Sequence, residues 1–187
     1  MLVESVSQTS DDRQEGGQGD GRVVGVGAGE RWLRCLRREW EWQAFTKELE
    51  TDRNERVLNG RSRRVHPYHI METTPEGWEY WNESVATTPE RSHVEIPLES
   101  ADAIIEYKPE AIAHEMTSPA LYVSAELDTL TPLNEQLGLY ECSPEPKRYE
   151  VIPGANHHDI YKEPHLTRLL DMSVDWFNVH LRAYVAE

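Results

Sequence analysis

The C-terminal part of this 187-residue chain contains two short apolar runs, each followed by a helix-forming segment. The runs are residues 120–125 (ALYVSA) and residues 149–152 (YEVI), and the segments that follow them are residues 131–140 and residues 166–184. Strand, helix, strand and helix in this order predict parallel strands, because parallel neighbours must be joined by long crossover connections. The sequence therefore predicts an α/β fold with a small parallel sheet.

The N-terminal part has a different composition. Residues 1–22 are rich in Gln, Gly, Ser and Asp and contain almost nothing apolar after Val6, so they are predicted to form a disordered acidic tail. Residues 23–29 (VVGVGAG) are interpreted as a short buried strand that ends in a glycine turn. Residues 23–187 are predicted to form one domain.

Helical patterns dominate the middle of the chain, from about residue 30 to residue 90. Asn59-Gly60 is a stop signal, and the apolar side chains before it recur every four or five residues, which predicts an amphipathic helix or helix pair: Trp32, Leu36, Trp40, Phe45 and Leu49. Thr74-Pro75 has the form of a helix start that leads into Trp78 and Trp81. These two tryptophans either line an apolar pocket or simply pack against the core. Ser100 is a further predicted N-cap.

Charge and cysteine content exclude several classes of partner. The chain carries 19 Lys and Arg against 34 Asp and Glu, a formal charge of −15, which repels phosphate backbones and anionic lipids. We therefore predict no nucleic-acid partner and no membrane partner. Cys35 and Cys142 are too few for a disulfide framework, and no secretory leader or long apolar span is present. A cytoplasmic protein is predicted.

Polar side chains follow both predicted strands at the point where each strand ends. Glu126 and Asp128 come after the first strand, and His157 and His158 come after the second. Because the carboxyl ends of parallel strands meet at one edge of a sheet, Asp128 and His157 are expected to lie close together. A carboxylate that binds one imidazole nitrogen leaves the other free to act as a base. A histidine on a surface loop without catalytic function is the alternative.

Two segments, ALYVSAELDTLTP and EPKRYEVIPGANHHDIY, together with the closing helix, resemble the C-terminal end of the α/β-hydrolase superfamily. The segments YHIMETTPEGWEYWNES and LESADAIIEYKPEAIAHEMTSP resemble the lid and the pre-strand segment of its dienelactone-hydrolase-like branch, which includes fungal polyketide transferases. The resemblance covers roughly residues 60–185. It implies a partial α/β-hydrolase fold, with a helical lid at about residues 30–90 and the C-terminal sheet and helices at residues 94–187.

The resemblance also implies an activity of the serine-hydrolase lineage. Asp128 would be the acid of a Ser/Asp/His triad and His157 its base, with Glu126 as the rival acid and His158 where the family often has an aromatic residue. The substrate would be an ester or thioester of a small apolar or polyketide-like metabolite, whose acyl group is hydrolysed or transferred. No cofactor is implied, and a homodimer is left open.

One motif of the family is missing. GxSxG, the turn that exposes the nucleophilic serine, does not occur in the chain. The nearest pattern, at residues 25–29 (GVGAG), has Gly27 where the serine would stand; it is either a relic of that turn or the end of a core strand. A dinucleotide loop is rejected, because Glu30 occupies the last glycine position of GxGxxG. Nucleophile and substrate-binding residues stay unidentified, and the alternative is a truncated, catalytically silent hydrolase-fold fragment that acts as a binding module or has no function.

Four residues near the second loop are of types that bind metals: His157, His158, Asp159 and His165. Neighbouring residues of one loop do not readily converge on a single ion, and both cysteines are far away in the sequence. No metal site is predicted.

Overall fold

A computed structural model describes residues 20–23, 25–71, 74–88 and 94–181, which form two compact units. The sheet unit comprises the described residues up to Gly27 and from Pro109 onward, and the helical unit comprises those from Ala28 to Lys108. In chain order the strands and α-helices are β1 (Asp20–Val23), α1 (Gly29–Cys35), α2 (Glu39–Asn59), β2 (Arg64–Val65), α3 (Pro67–Ile70), α4 (Pro75–Thr87), β3 (Ile96–Pro97), α5 (Ser100–Glu106), α6 (Pro109–Ile112), β4 (Ala120–Ala125), α7 (Leu133–Cys142), β5 (Lys147–Ile152) and α8 (His165–His180).

The sheet unit contains three parallel strands in the order β1-β4-β5. Val23 pairs with Val123, and Ala125 at the end of β4 pairs with Ile152 at the end of β5. All six residues of the central strand β4 are buried. The predicted α/β fold with a parallel sheet is therefore confirmed.

Helices cover both faces of this sheet, as the side-chain alternation of β4 requires. Leu121 and Val123 point into an apolar cluster with Trp176 of α8. Tyr122, between them in sequence, points into a second cluster with Leu139 of α7. Because β4 is buried from both sides, it shows a continuous apolar run rather than an alternating one.

The helical unit has a core of its own, to which α1, α2 and α5 contribute. Of the two predicted alternatives, one helix or a helix pair, the structure shows the pair, α1 and α2. Gly29 begins α1, and a Cβ at this position would lie 1.7 Å from the carbonyl oxygen of Ile104 in α5. Only glycine permits so close an approach. The last glycine of the GVGAG segment is thus explained by helix packing.

Helix α4 begins where the sequence predicts it. Its first residue is Pro75, and Thr74 Oγ1 accepts a hydrogen bond from the backbone N–H of Gly77 at 3.3 Å. Helix α5 differs by one residue, because Ser100 is already helical and Glu99 occupies the N-cap position.

The two tryptophans of α4 pack within an aromatic cluster of the helical unit. Trp78 stacks on His66 at 5.6 Å between ring centroids, and Trp81 meets Tyr68 edge-on at 5.3 Å. Trp78 nevertheless remains 45% exposed. Packing therefore accounts for these side chains in part, and a pocket-lining role stays a prediction.

The observed boundaries of the tail and of the helical segment differ from the predicted ones. Residues 20–22, assigned to the disordered tail, lie in β1, whereas residues 1–19 lie outside the described residues. The helical unit extends to Lys108 rather than to about residue 90, because α5 places Ala101 in its core. In the part of the chain that the structure describes, no helix combines the length and apolar character needed to cross a membrane.

Asp102 of α5 is expected to make the helical unit sensitive to acid. It accepts hydrogen bonds from Arg53 Nη2 at 2.7 Å and Arg56 Nη2 at 2.6 Å. Burial alone would raise the pKa of Asp102, but these hydrogen bonds and positive charges outweigh it and hold the pKa below its usual value. This stabilisation is present above the unfolded pKa of about 3.9 and is lost as pH falls through the lower folded pKa.

We therefore expect Asp102→Asn to reduce the free energy of unfolding at neutral pH and to have much less effect near pH 3. Urea unfolding of both proteins at the two pH values measures the difference. Equal effects of the substitution at neutral and acid pH would contradict the assignment.

Candidate active site

Two loops leave the sheet side by side at the carboxyl ends of β4 and β5. We call residues 126–132 the acid loop and residues 153–158 the base loop. Since Ala125 and Ile152 are register partners, the loops start next to each other. Backbone hydrogen bonds join them: Glu126 N–H donates to Ile152 O at 3.0 Å, and Leu127 N–H donates to Ala155 O at 2.9 Å.

Asp128 and His157 meet between these loops. His157 Nδ1 lies 2.8 Å from Asp128 Oδ2. An ionised carboxylate only accepts hydrogen bonds. Nδ1 therefore carries a hydrogen and donates a hydrogen bond to Asp128. The side chain of Asp128 is fully buried, whereas that of His157 is 17% exposed. The structure thus brings together the two residues that the sequence selects.

The second oxygen of Asp128 is held by its own loop. Oδ1 accepts hydrogen bonds from the backbone N–H of Leu130 at 2.9 Å and from that of Thr131 at 2.7 Å. Short polar side chains commonly organise turns in this way. Both carboxylate oxygens therefore have partners, and the plane of the carboxylate is fixed before it meets the imidazole.

The other ring nitrogen of His157, Nε2, has no hydrogen-bond partner among the described residues. The ring of His158 packs edge-on against that of His157, with 4.9 Å between centroids. With Nδ1 protonated, neutral Nε2 is an acceptor. It can take a proton from a group that lies in front of it.

Two further acids, Asp159 and Glu126, stabilise the base loop. From the sequence alone, Asp159 is considered only as a possible metal ligand. Asp159 Oδ2 accepts from the backbone N–H of Asn156 at 3.0 Å and from its Nδ2 at 2.9 Å. These bonds, the backbone one first, lower the pKa of the Asp159 carboxyl. Glu126, the rival acid, accepts from the backbone N–H of Gly154 at 2.7 Å. Asn156 and Asp159 are three residues apart, a spacing from which this local turn could have been predicted.

Metal-binding residue types near the base loop do not form a cluster. Within the described ranges, no three His, Cys, Asp or Glu side chains are grouped so that they could hold one ion. Asp159 instead binds Asn156, and His165 begins α8.

Solved structures that match this chain include α/β hydrolases. The chain superposes on the α/β hydrolase GrgF from Penicillium sp. sh18 with a TM-score of 0.61 and 16% identity, covering 86% of this chain and 55% of GrgF. The chain has part of the α/β-hydrolase fold. DcsB, solved in complex with its substrate analogue, matches with a TM-score of 0.66 and 17% identity over 87% of this chain and 56% of DcsB.

A monoacylglycerol lipase from Paleococcus ferrophilus also matches, with a TM-score of 0.54 and 15% identity over 86% of this chain and 59% of the lipase. This chain spans between half and three fifths of the length of these α/β hydrolases. The predicted partial α/β-hydrolase fold is confirmed. No protein-family model and no curated protein sequence matches the chain.

Proposed function

We propose that this chain provides the base and the orienting acid of an acyl-transfer site of the serine-hydrolase type. The observation that carries the proposal is the 2.8 Å contact between His157 Nδ1 and Asp128 Oδ2, with the carboxylate buried and the imidazole partly exposed. Nε2 of His157 would take the proton of an attacking hydroxyl and return it to the leaving group. Asp128 would hold the ring and stabilise the imidazolium formed in between.

The proposed reaction is hydrolysis or transfer of an acyl group from an ester or thioester. The nucleophile oxygen bonds to the carbonyl carbon, and its proton passes to His157. The bond from carbon to the leaving oxygen or sulfur then breaks, and the leaving group receives that proton. Water or an alcohol repeats these steps on the acyl intermediate. The nucleophile and the amides that would stabilise the oxyanion remain unassigned.

A small apolar or polyketide-like metabolite is the proposed acyl donor. The helical unit lies between β1 and β4 in the sequence and is proposed as the lid. Trp78 of this unit is 45% exposed, so it presents an apolar surface. Aromatic side chains supply much of the contact area in sites for apolar ligands. The polyketide-like class rests on the sequence resemblance of the lid segment.

A second candidate is a catalytically silent module that binds a ligand or partner without turnover. The absence of GxSxG from the 187 residues favours it, because the acid and base have nothing to activate without a nucleophile.

A fluorophosphonate probe separates the two candidates, because it reacts covalently only with an activated serine. If the proposed function holds, the purified full chain is labelled at one serine, and His157→Ala slows labelling by about a thousandfold or more. His114→Ala is the matched control, since His114 is 67% exposed on the surface. Absence of labelling in the wild-type chain would favour the silent module.

A further inference from the structure

Glu126 connects the acid loop to the base loop through its side chain. We propose that it is a positioning residue for the contact between Asp128 and His157, acting through the main chain at Gly154. The inference rests on the proposed function, in which this contact prepares proton transfer. Glu126 lies two residues before Asp128, and Gly154 lies three residues before His157. One hydrogen bond therefore joins the loops close to both members of the pair.

The bond joins Glu126 Oε2 to the backbone nitrogen of Gly154 at 2.7 Å. Hydrogen bonds to an ionised acceptor are shorter and stronger than neutral ones. Two backbone bonds also leave the acid loop, from Glu126 N–H to Ile152 at the end of β5 and from Leu127 N–H to Ala155 in the base loop, and both form whatever side chains Glu126 and Leu127 carry. The carboxylate of Glu126 thus makes a second side-chain contact between the loops, besides the one between Asp128 and His157.

The bond is made to Gly154, at an exposed turn of the base loop. The φ angle of Gly154 is +68°, a conformation that favours glycine. Nothing lies within 4 Å of a Cβ built at this position, so the backbone conformation, and not lack of space, explains the glycine. Pro153 and Gly154 are exposed, whereas Ile152 and Ala155 on either side are fully buried. The bond from Gly154 to Glu126 holds the exposed turn between these two buried anchors.

The position of the turn at Gly154 affects the distance between Asp128 and His157. Asp128 is already held by two amides of its own loop, so its position depends little on the base loop. His157 lies three residues after Gly154, and hydrogen bonds weaken beyond about 3.2 Å. A displacement of the base loop by about 1 Å would therefore separate His157 Nδ1 from Asp128. Asp159, just after the base loop, accepts hydrogen bonds from Asn156 of that loop and makes none with the acid loop among the described residues.

Nuclear magnetic resonance on the full chain tests the role of Glu126. In Glu126→Ala, we expect the Gly154 amide to exchange with solvent about fivefold to tenfold faster, as loss of one hydrogen bond predicts. We also expect faster exchange of the His157 Nδ1 proton. Glu126→Gln keeps an acceptor oxygen but loses the charge, so its exchange should be accelerated less than that of Glu126→Ala.

Glu141→Ala is the matched control, because Glu141 is an exposed glutamate of α7 near the opposite end of the sheet. It should leave both exchange rates unchanged. Unchanged exchange at Gly154 and His157 in Glu126→Ala would overturn the inference, as would equal acceleration in Glu126→Gln. Neither readout requires turnover. A chain that passes this test but takes no fluorophosphonate label would contradict the proposed function alone.

Discussion

Replacing Asp128 with asparagine is expected to reverse the proton arrangement on His157 while preserving the fold. The amide oxygen of asparagine can still accept from the N–H groups of Leu130 and Thr131, as Asp128 Oδ1 does. Its NH₂ group then faces His157 Nδ1. Since an amide NH₂ only donates, Nδ1 becomes an acceptor and the ring proton moves to Nε2. In that tautomer Nε2 cannot take a proton from a nucleophile.

The change in tautomer should have a large kinetic effect. Substitution of the triad aspartate by asparagine in a serine protease lowers turnover by about ten-thousandfold, and we expect a loss of that order in fluorophosphonate labelling by Asp128→Asn. Nitrogen chemical shifts of the His157 ring report the tautomer directly. Asp175→Asn, the same chemical change at an exposed position of α8, is the control. A wild-type tautomer in Asp128→Asn would contradict the assigned hydrogen bond.

The contact between Asp128 and His157 was predictable because it depends on strand order and register. Both residues follow apolar strands, and β4 and β5 are neighbours whose last residues are paired. Parallel pairing places the ends of such strands together whatever the loops contain. The same logic predicts the α/β fold, since the apolar pattern of β4 and the stripe on α8 each indicate a buried face.

Other features depended on tertiary contacts that leave no local signal. The hydrogen bond of Glu126 is made to Gly154, whose left-handed conformation the sequence indicates only as a turn. The boundary of the helical unit depends on the packing of α5. The need for glycine at position 29 arises from the carbonyl group of Ile104, which lies 75 residues away in the sequence. Local propensity gives the type of an element but not the partner against which it packs.

Replacing Trp176 with alanine is expected to cause the largest loss of stability. Trp176 is 6% exposed and packs against the sheet in one cluster with Leu121, Val123 and Ile152. Truncating a buried tryptophan costs about 3–5 kcal/mol, a large part of the roughly 5–15 kcal/mol that stabilises an ordinary domain. Urea unfolding followed by circular dichroism measures the loss.

Trp176→Phe separates the contribution of the ring from that of the indole N–H. This N–H is buried and has no hydrogen-bond partner among the described residues, so phenylalanine keeps most of the apolar contact and leaves no polar group unpaired. We expect a cost below about 1.5 kcal/mol. Val179→Ala, at a site of α8 that is 76% exposed, should change stability by less than about 0.5 kcal/mol. Similar costs for Trp176→Phe and Trp176→Ala would contradict the expectation that the apolar ring contact supplies most of the stabilisation. Because β4 and β5 carry the acid and base loops, the alanine variant should also lose protection of the His157 Nδ1 proton, which the phenylalanine variant should retain.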